Sequence, residues 1–244
     1  MDPLEEFERL KRQNITALSA DAEAQRLSRE WLKRVSRHRY TYHFTWLGVP
    51  IIQIPQDIVA MQEIIWRIKP DLIIETGVAH GGSVVFYASM MELLGADGHV
   101  LGIDIDIRAH NRRVLESHPM RRRYTLVEAP STSDAALAEV RRYASGRKTV
   151  MVCLDSNHTH EHVLNELRLY SPFVTLGSYL VVFDTVIEHF DAGSFPDRPW
   201  DKGNNAFTAV RTFLGETDRF ELDREIDARL MVSVAPEGYL KRVN

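Results

Sequence analysis

Apolar residues recur every three or four positions near the start of the chain. Leu4, Phe7 and Leu10 begin the pattern, and Leu27, Trp31, Leu32 and Val35 repeat it. That period predicts an amphipathic helical arm over residues 1–40. The arm either covers a substrate pocket, builds a subunit contact or packs on the domain. Residues 40–55 break the rhythm: they are aromatic-rich and cut by Gly48, Pro50 and Pro55, which predicts an irregular strap. Trp46 there is a candidate contact for a flat or sugar-like substrate, or part of a hydrophobic strap holding the arm down. A helix opened by Asp57 follows over 58–68 and stops before Pro70.

From residue 71 short apolar runs alternate with helical periods. Leu72, Ile73 and Ile74 form a run of strand length, followed by a glycine turn and a helical segment over 84–90. Further strands are predicted at 100–104, 124–128, 149–155 and 177–184, with helices at 108–117, after Ser133, at 163–170 and at 206–214. Strands at 220–224 and 230–235, close enough to pair antiparallel, complete seven. The alternation predicts an α/β fold: a doubly wound, seven-stranded Rossmann-like sheet with an N-terminal helical extension. The expected division is an arm and strap over 1–55 and one domain over 56–244. Residues 186–205 read as a lid or binding loop, with Trp200 and Asn204 as candidate substrate contacts.

Four predicted parallel strands end in acids: Glu75, Asp104, Asp155 and Asp184. The carboxyl ends of strands in open α/β sheets form the binding crevice. Gly77, Gly81 and Gly82 supply the positive φ and bare backbone of a tight turn that brings backbone N–H groups to a ligand. His80 lies within that turn, and Ser83 is placed to cap the helix. Asp104 stands where an acid accepts hydrogen bonds from a nucleoside ribose, with Asp106 as competitor. Ser131 is a candidate cofactor-edge hydroxyl or cap, and Ser133 a cap. A dinucleotide fingerprint would need a middle glycine that is missing here. Glu-x-Gly-x-x-x-Gly, from Glu75 to Gly81, instead resembles motif I of the S-adenosylmethionine (SAM) methyltransferases.

Composition narrows the classes. With 244 residues the chain can build one sizeable core. A net charge of −4 gives no basic field for nucleic acid or an anionic membrane. A single cysteine, Cys153, excludes an intramolecular disulfide and a cysteine-based zinc cluster, and its apolar surroundings predict a buried thiol. No apolar stretch approaches the ~20 residues of a membrane helix, and the acidic N-terminus lacks a signal-peptide core. A cytoplasmic protein is expected.

Asp155 and Asp184, on adjacent strand tips, offer hard oxygen ligands that suit Mg²⁺, or they cap strand ends and bind polar cofactor edges. A cation there would lower the pKa of a substrate hydroxyl. The His158-x-His160-x-His162 spacing raises zinc, which would need a further close ligand. His158 fits better as a general base toward a hydroxyl, or as a structural histidine. His160 and His162 are expected to flank the helix.

Four segments carry a family resemblance: residues 70–83 around the glycine turn, 154–164 with Asp155-Ser156-Asn157-His158-Thr159-His160, 177–185 ending in Asp184-Thr185, and 198–205 with Pro199-Trp200-Asp201. Together they resemble the cephalosporin-hydroxylase-like family over roughly residues 40–240. The resemblance implies a class I methyltransferase sheet and Mg²⁺-dependent methyl transfer from SAM to a hydroxyl. It implies a deoxysugar acceptor such as rhamnose, as a nucleotide sugar or on a natural product. Asp155 and Asp184 match metal ligands, with Asp155 also beside the cofactor. Some members carry two adjacent acids at the second site; here the first is Phe183, so Glu188, Asn157 or water is expected as third ligand. A homo-oligomer is expected. The rivals are a nicotinamide-dependent oxidoreductase and a non-catalytic SAM- or nucleotide-binding module, in which Asp155 and His158 would be dispensable.

Overall fold

A computed structural model describes residues 2–95 and 97–244. The arm is two helices, α1 (Pro3–Ala20) and α2 (Ala22–Ser36), capped by Asp2 and Asp21, whose carboxylates accept hydrogen bonds from the first-turn amides. No residue of α1 is buried; α2 buries Leu32.

The strap is more regular than its prolines and glycine imply. β1 (Phe44–Trp46) and β2 (Val49–Ile51) form an antiparallel hairpin. Its two-residue turn, Leu47 and Gly48, has both φ angles positive, as a twisted hairpin requires. α3 (Pro55–Ile68) starts with Pro55 in its first turn. Asp57 does not cap it. That carboxylate is fully buried and accepts from Ser233 Oγ at 2.6 Å, Val234 N at 2.8 Å and Tyr239 Oη at 2.7 Å.

The main sheet comprises β3 (Leu72–Thr76), β4 (His99–Asp104), β5 (Tyr124–Glu128), β6 (Val150–Leu154), β7 (Tyr179–Val182), β8 (Phe220–Leu222) and β9 (Tyr239–Arg242), in the order β5-β4-β3-β6-β7-β9-β8. β9 is antiparallel to both neighbours, and the pairings among β5, β4, β3, β6 and β7 are parallel. Both faces are covered, so the inner strands read as unbroken apolar runs. Leu72, Ile74, Leu101, Val152 and Leu180 pack toward α6 (Asp134–Ala144), α7 (His160–Tyr170) and α8 (Ala206–Glu216). Ile73, Val100, Met151 and Val181 pack on the other side with α3, α4 (Gly82–Leu93), Leu115 of α5 (Ala109–Ser117), and the hairpin residues Val49 and Ile51. Cys153 is buried on that side.

The C-terminal region departs from the expected pair of strands. Residues 224–230 form α9 (Arg224–Leu230), capped by Asp223, which accepts from Ile226 N at 3.3 Å. Residues 231–235 are not a strand: Met231 is left-handed, and Ser233 and Val234 turn inward to satisfy Asp57. The last strand is β9. The 186–205 loop is pinned rather than open. Glu188 Oε2 accepts from Asn205 Nδ2 at 2.7 Å and Gly203 N at 2.9 Å.

Candidate active site

A cleft of about 580 Å³ opens at the carboxyl ends of β3, β6 and β7. One wall is the turn from β3 to α4. Gly77 and Gly81 are left-handed there, at φ 89° and 90°, and so is Ala79 at 47°. A Cβ on Gly77 would lie 2.0 Å from the carbonyl oxygen of Asp155. Gly82 serves differently: it is helical, and its bareness admits the hairpin, since a Cβ would meet the Pro50 carbonyl at 2.3 Å. Ser83 is not the cap. It stands inside the first turn, and its Oγ donates to Glu75 Oε2 at 2.9 Å, while Gly81 takes the capping position. The first amides of α4 are therefore left to the cleft, as at other helix starts.

Two acids assigned to the cofactor lie behind this wall instead of lining the cleft. Asp104 Oδ2 accepts from Val78 N at 2.8 Å and Ala79 N at 3.0 Å, and Oδ1 accepts from Asp106 N at 3.1 Å. Its carboxylate thus holds the turn from beneath. Glu75 is fully buried, and its Oε1 has no partner. Burial pushes its carboxyl up to about 8, against the Ser83 hydrogen bond and with the Asp104 charge adding. His80 does line the cleft, with Nδ1 3.3 Å from Asn111 Oδ1.

The floor gathers three candidates. Asp155, His158 and Asp184 each bring a ligating atom within 4.8 Å of the others. His158 Nε2 lies 2.9 Å from Asp184 Oδ2, and the Trp200 ring meets the imidazole edge-on at 4.6 Å between centroids. Burial pushes the Asp155 carboxyl well above the usual range, and the neighbouring Asp184 charge adds to it. Neither Glu188 nor Asn157 completes the cluster. Glu188 is spent on the loop amides, and Asn157 Oδ1 accepts from Thr159 N at 3.0 Å. Phe183 is buried in the core.

Three other candidates stand away from the cleft. Trp46 packs edge-on against Phe86 and donates to Ser89 Oγ at 3.0 Å, bracing the hairpin on α4. Asn204 ties the loop to α7: its Oδ1 accepts from His160 N at 3.1 Å and its Nδ2 donates to the Pro199 carbonyl. Ser131 is buried, 3.4 Å from His162 Nε2. His160 meets Thr208 Oγ1 at 2.8 Å, so the three histidines diverge and form no shared zinc set.

Two contributors were not legible in the sequence. Gln53, nearly buried, lies with Nε2 3.4 Å from Asp155 Oδ2. Ser156 Oγ donates to the buried Glu166 Oε1 at 2.8 Å and lies 3.0 Å from His162 Nε2. His162 and Glu166, one helical turn apart, were the available signal for this prop under the Asp155 loop. Because Ser156 and Glu166 both meet the same ring nitrogen, the trio is a brace and not a nucleophilic relay.

The sequence model of the family described as rhamnosyl O-methyltransferase/CmcI matches residues 38–243. The chain belongs to this family. By that membership in the rhamnosyl O-methyltransferase/CmcI family it is an O-methyltransferase. A rhamnosyl O-methyltransferase of Mycobacterium leprae is 32% identical over 158 residues, 62% of this chain and 67% of that protein. One from Mycobacterium tuberculosis is 29% identical over 203 residues, 81% and 78% of the two. Among solved structures, apo CmcI superposes with a TM-score of 0.59 at 19% identity, over 83% of this chain and 77% of that one. CmcI with Mg and SAM gives 0.56 at 19%, over 83% and 78%. The MycE methyltransferase of the mycinamycin pathway, with Mg, SAH and mycinamycin VI, gives 0.53 at 17%, over 87% of this chain but 54% of MycE. These structural likenesses carry the fold.

Proposed function

We propose that this member of the family transfers a methyl group from SAM to a hydroxyl of a deoxysugar of the rhamnose type, assisted by Mg²⁺. The observation that carries the reading is the convergence of Asp155, His158 and Asp184 in the cleft that the Gly77–Gly82 turn walls. The names of the curated relatives supply the sugar, and the Mg-SAM form of CmcI the cofactor pair.

The residues fit both groups. The start of α4 leaves backbone amides facing the cleft for SAM, which brings the transferable methyl on its sulfonium. Asp155 and Asp184 form an oxygen pair whose mutual repulsion a divalent cation relieves. Bound Mg²⁺ would supply Lewis acidity toward the acceptor hydroxyl. With Nε2–H donated to Asp184, the His158 Nδ1 is the lone pair left to accept the hydroxyl proton. The Trp200 ring, which also lines the cleft, holds the imidazole in place. Asp104 serves SAM indirectly, by holding the turn that walls the cleft.

Among the described residues no helix is long and apolar enough to cross a membrane. A cytoplasmic homo-oligomer acting in secondary metabolism, with residues 1–55 as arm and strap, completes the proposal.

The test is incubation with isotope-labelled SAM and a panel of rhamnosides and nucleotide sugars, read by mass spectrometry with Mg²⁺ and with EDTA. Methylated sugar that disappears in chelator supports the reading. Full activity in EDTA would rule out the metal role, and NAD(H) binding without SAM binding would favour the oxidoreductase.

A further inference from the structure

Two guanidinium groups at the mouth of the cleft have no task in methyl transfer. Arg39, in the turn that follows α2, and Arg198, in the 186–205 loop, both line the cleft. Arg112, Arg168 and Arg229 elsewhere each meet a glutamate. The side chains of Arg39 and Arg198 have neither an ion-pair nor a hydrogen-bond partner among the described residues. Each lies over an aromatic ring instead: Arg39 is 5.9 Å from the Tyr42 centroid and Arg198 5.2 Å from that of Trp200. Since Trp200 also touches His158, Arg198 stands one ring away from the imidazole. Arg39 is left-handed at φ 51°, unfavourable for a residue with a side chain. Of the acids lining the cleft, Asp155 and Asp184 are engaged at the floor by Gln53 and His158, which leaves the exposed Asp197 to oppose two arginines.

We propose that the acceptor sugar reaches this site bearing a phosphoryl group, as in a sugar 1-phosphate or a nucleoside diphosphate sugar, and that Arg39 and Arg198 receive it. The proposal rests on the methyltransferase reading above. A guanidinium presents a planar fork that matches phosphate oxygens two at a time, and it sheds water readily. A ring against its face leaves the N–H edge free for that contact. A neutral glycoside would leave both forks without a partner.

Calorimetry on the full chain, with S-adenosylhomocysteine present, tests this with thymidine diphosphate rhamnose, rhamnose 1-phosphate and methyl rhamnoside. The phosphorylated probes should bind about tenfold tighter or more than the glycoside, the effect of one charge-assisted contact. Added salt should shrink the advantage. Arg39→Gln with Arg198→Gln should remove it and leave SAM affinity unchanged. Tighter binding of the nucleotide probe than of the 1-phosphate would assign the source to the nucleotide; equal binding would assign it to the phosphate alone. No binding of the phosphorylated probes, no advantage over the glycoside, or loss of SAM affinity in the double variant overturns the proposal. Efficient methylation of the neutral glycoside alone would sink it while leaving the function standing. Failure of methyl transfer to every rhamnose acceptor would instead overturn the function.

Discussion

The His158 imidazole and the Asp184 carboxylate meet at 2.9 Å through Nε2 and Oδ2, and this contact fixes which ring nitrogen is free. His158→Ala should lower turnover by about 10²–10⁴, the usual contribution of a positioned general base. SAM affinity should stay the same. Initial rates and calorimetry together check this, and near-normal turnover would exclude the residue as base.

Gly77 carries two separate demands. It is left-handed at φ 89°, and the Asp155 carbonyl oxygen occupies the space of a side chain. Gly77→Ala should cost about 3 kcal/mol or more, a backbone clash added to an unfavourable φ. Gly146→Ala has the left-handed φ alone, with open space around it, and should cost about 1 kcal/mol. Urea unfolding of the two variants gives the comparison; equal costs would mean that the Asp155 loop moves aside freely.

Glu75 should make stability fall as pH rises. Burial raises its folded pKa to about 8 from 4.5, so between these values the folded chain keeps a proton that the unfolded chain has released. Folding then becomes less favourable with rising pH, by about 2 kcal/mol between about pH 6 and 8. Glu75→Gln should flatten that slope. Unfolding curves at the two pH values measure it, and the same slope in both proteins would show that Glu75 is ionised when folded.

A cation held by Asp155 and Asp184 should stabilise the folded chain. Mg²⁺ at about 100 times its Kd would add about 2.7 kcal/mol, seen as a rise in Tm. Asp184→Asn should abolish the rise without unfolding the protein. A Tm insensitive to Mg²⁺ in the native sequence would count against the metal site, whatever the activity.

The inner strands were legible because burial on both faces writes them as continuous apolar runs, as at Leu72, Ile73 and Ile74. The acids at strand tips followed from topology. What escaped depends on partners distant in sequence. Asp104 had the right strand end for a ribose, and the sequence did not show that its carboxylate also holds the amides of the glycine turn between β3 and α4. Trp46 reads the same in a core as at a pocket mouth, and only contact with Phe86 and Ser89 decides. The apolar run at 230–235 looked like a strand, and the demand of buried Asp57 turned it into an inward loop. α9 hid behind that reading, although Asp223 was a sound cap.

Asp57 also constrains how the chain is made. Its three hydrogen-bond partners lie 176 to 182 residues downstream. β9, which slots between β7 and β8, is the last strand of the sheet in chain order. Until then the growing chain holds a sheet with a missing strand and an acid in an apolar layer with no donor to meet it. The sheet therefore closes only after β9 has been made, and a chain cut short before Ser233 would be a natural client for chaperones and proteases.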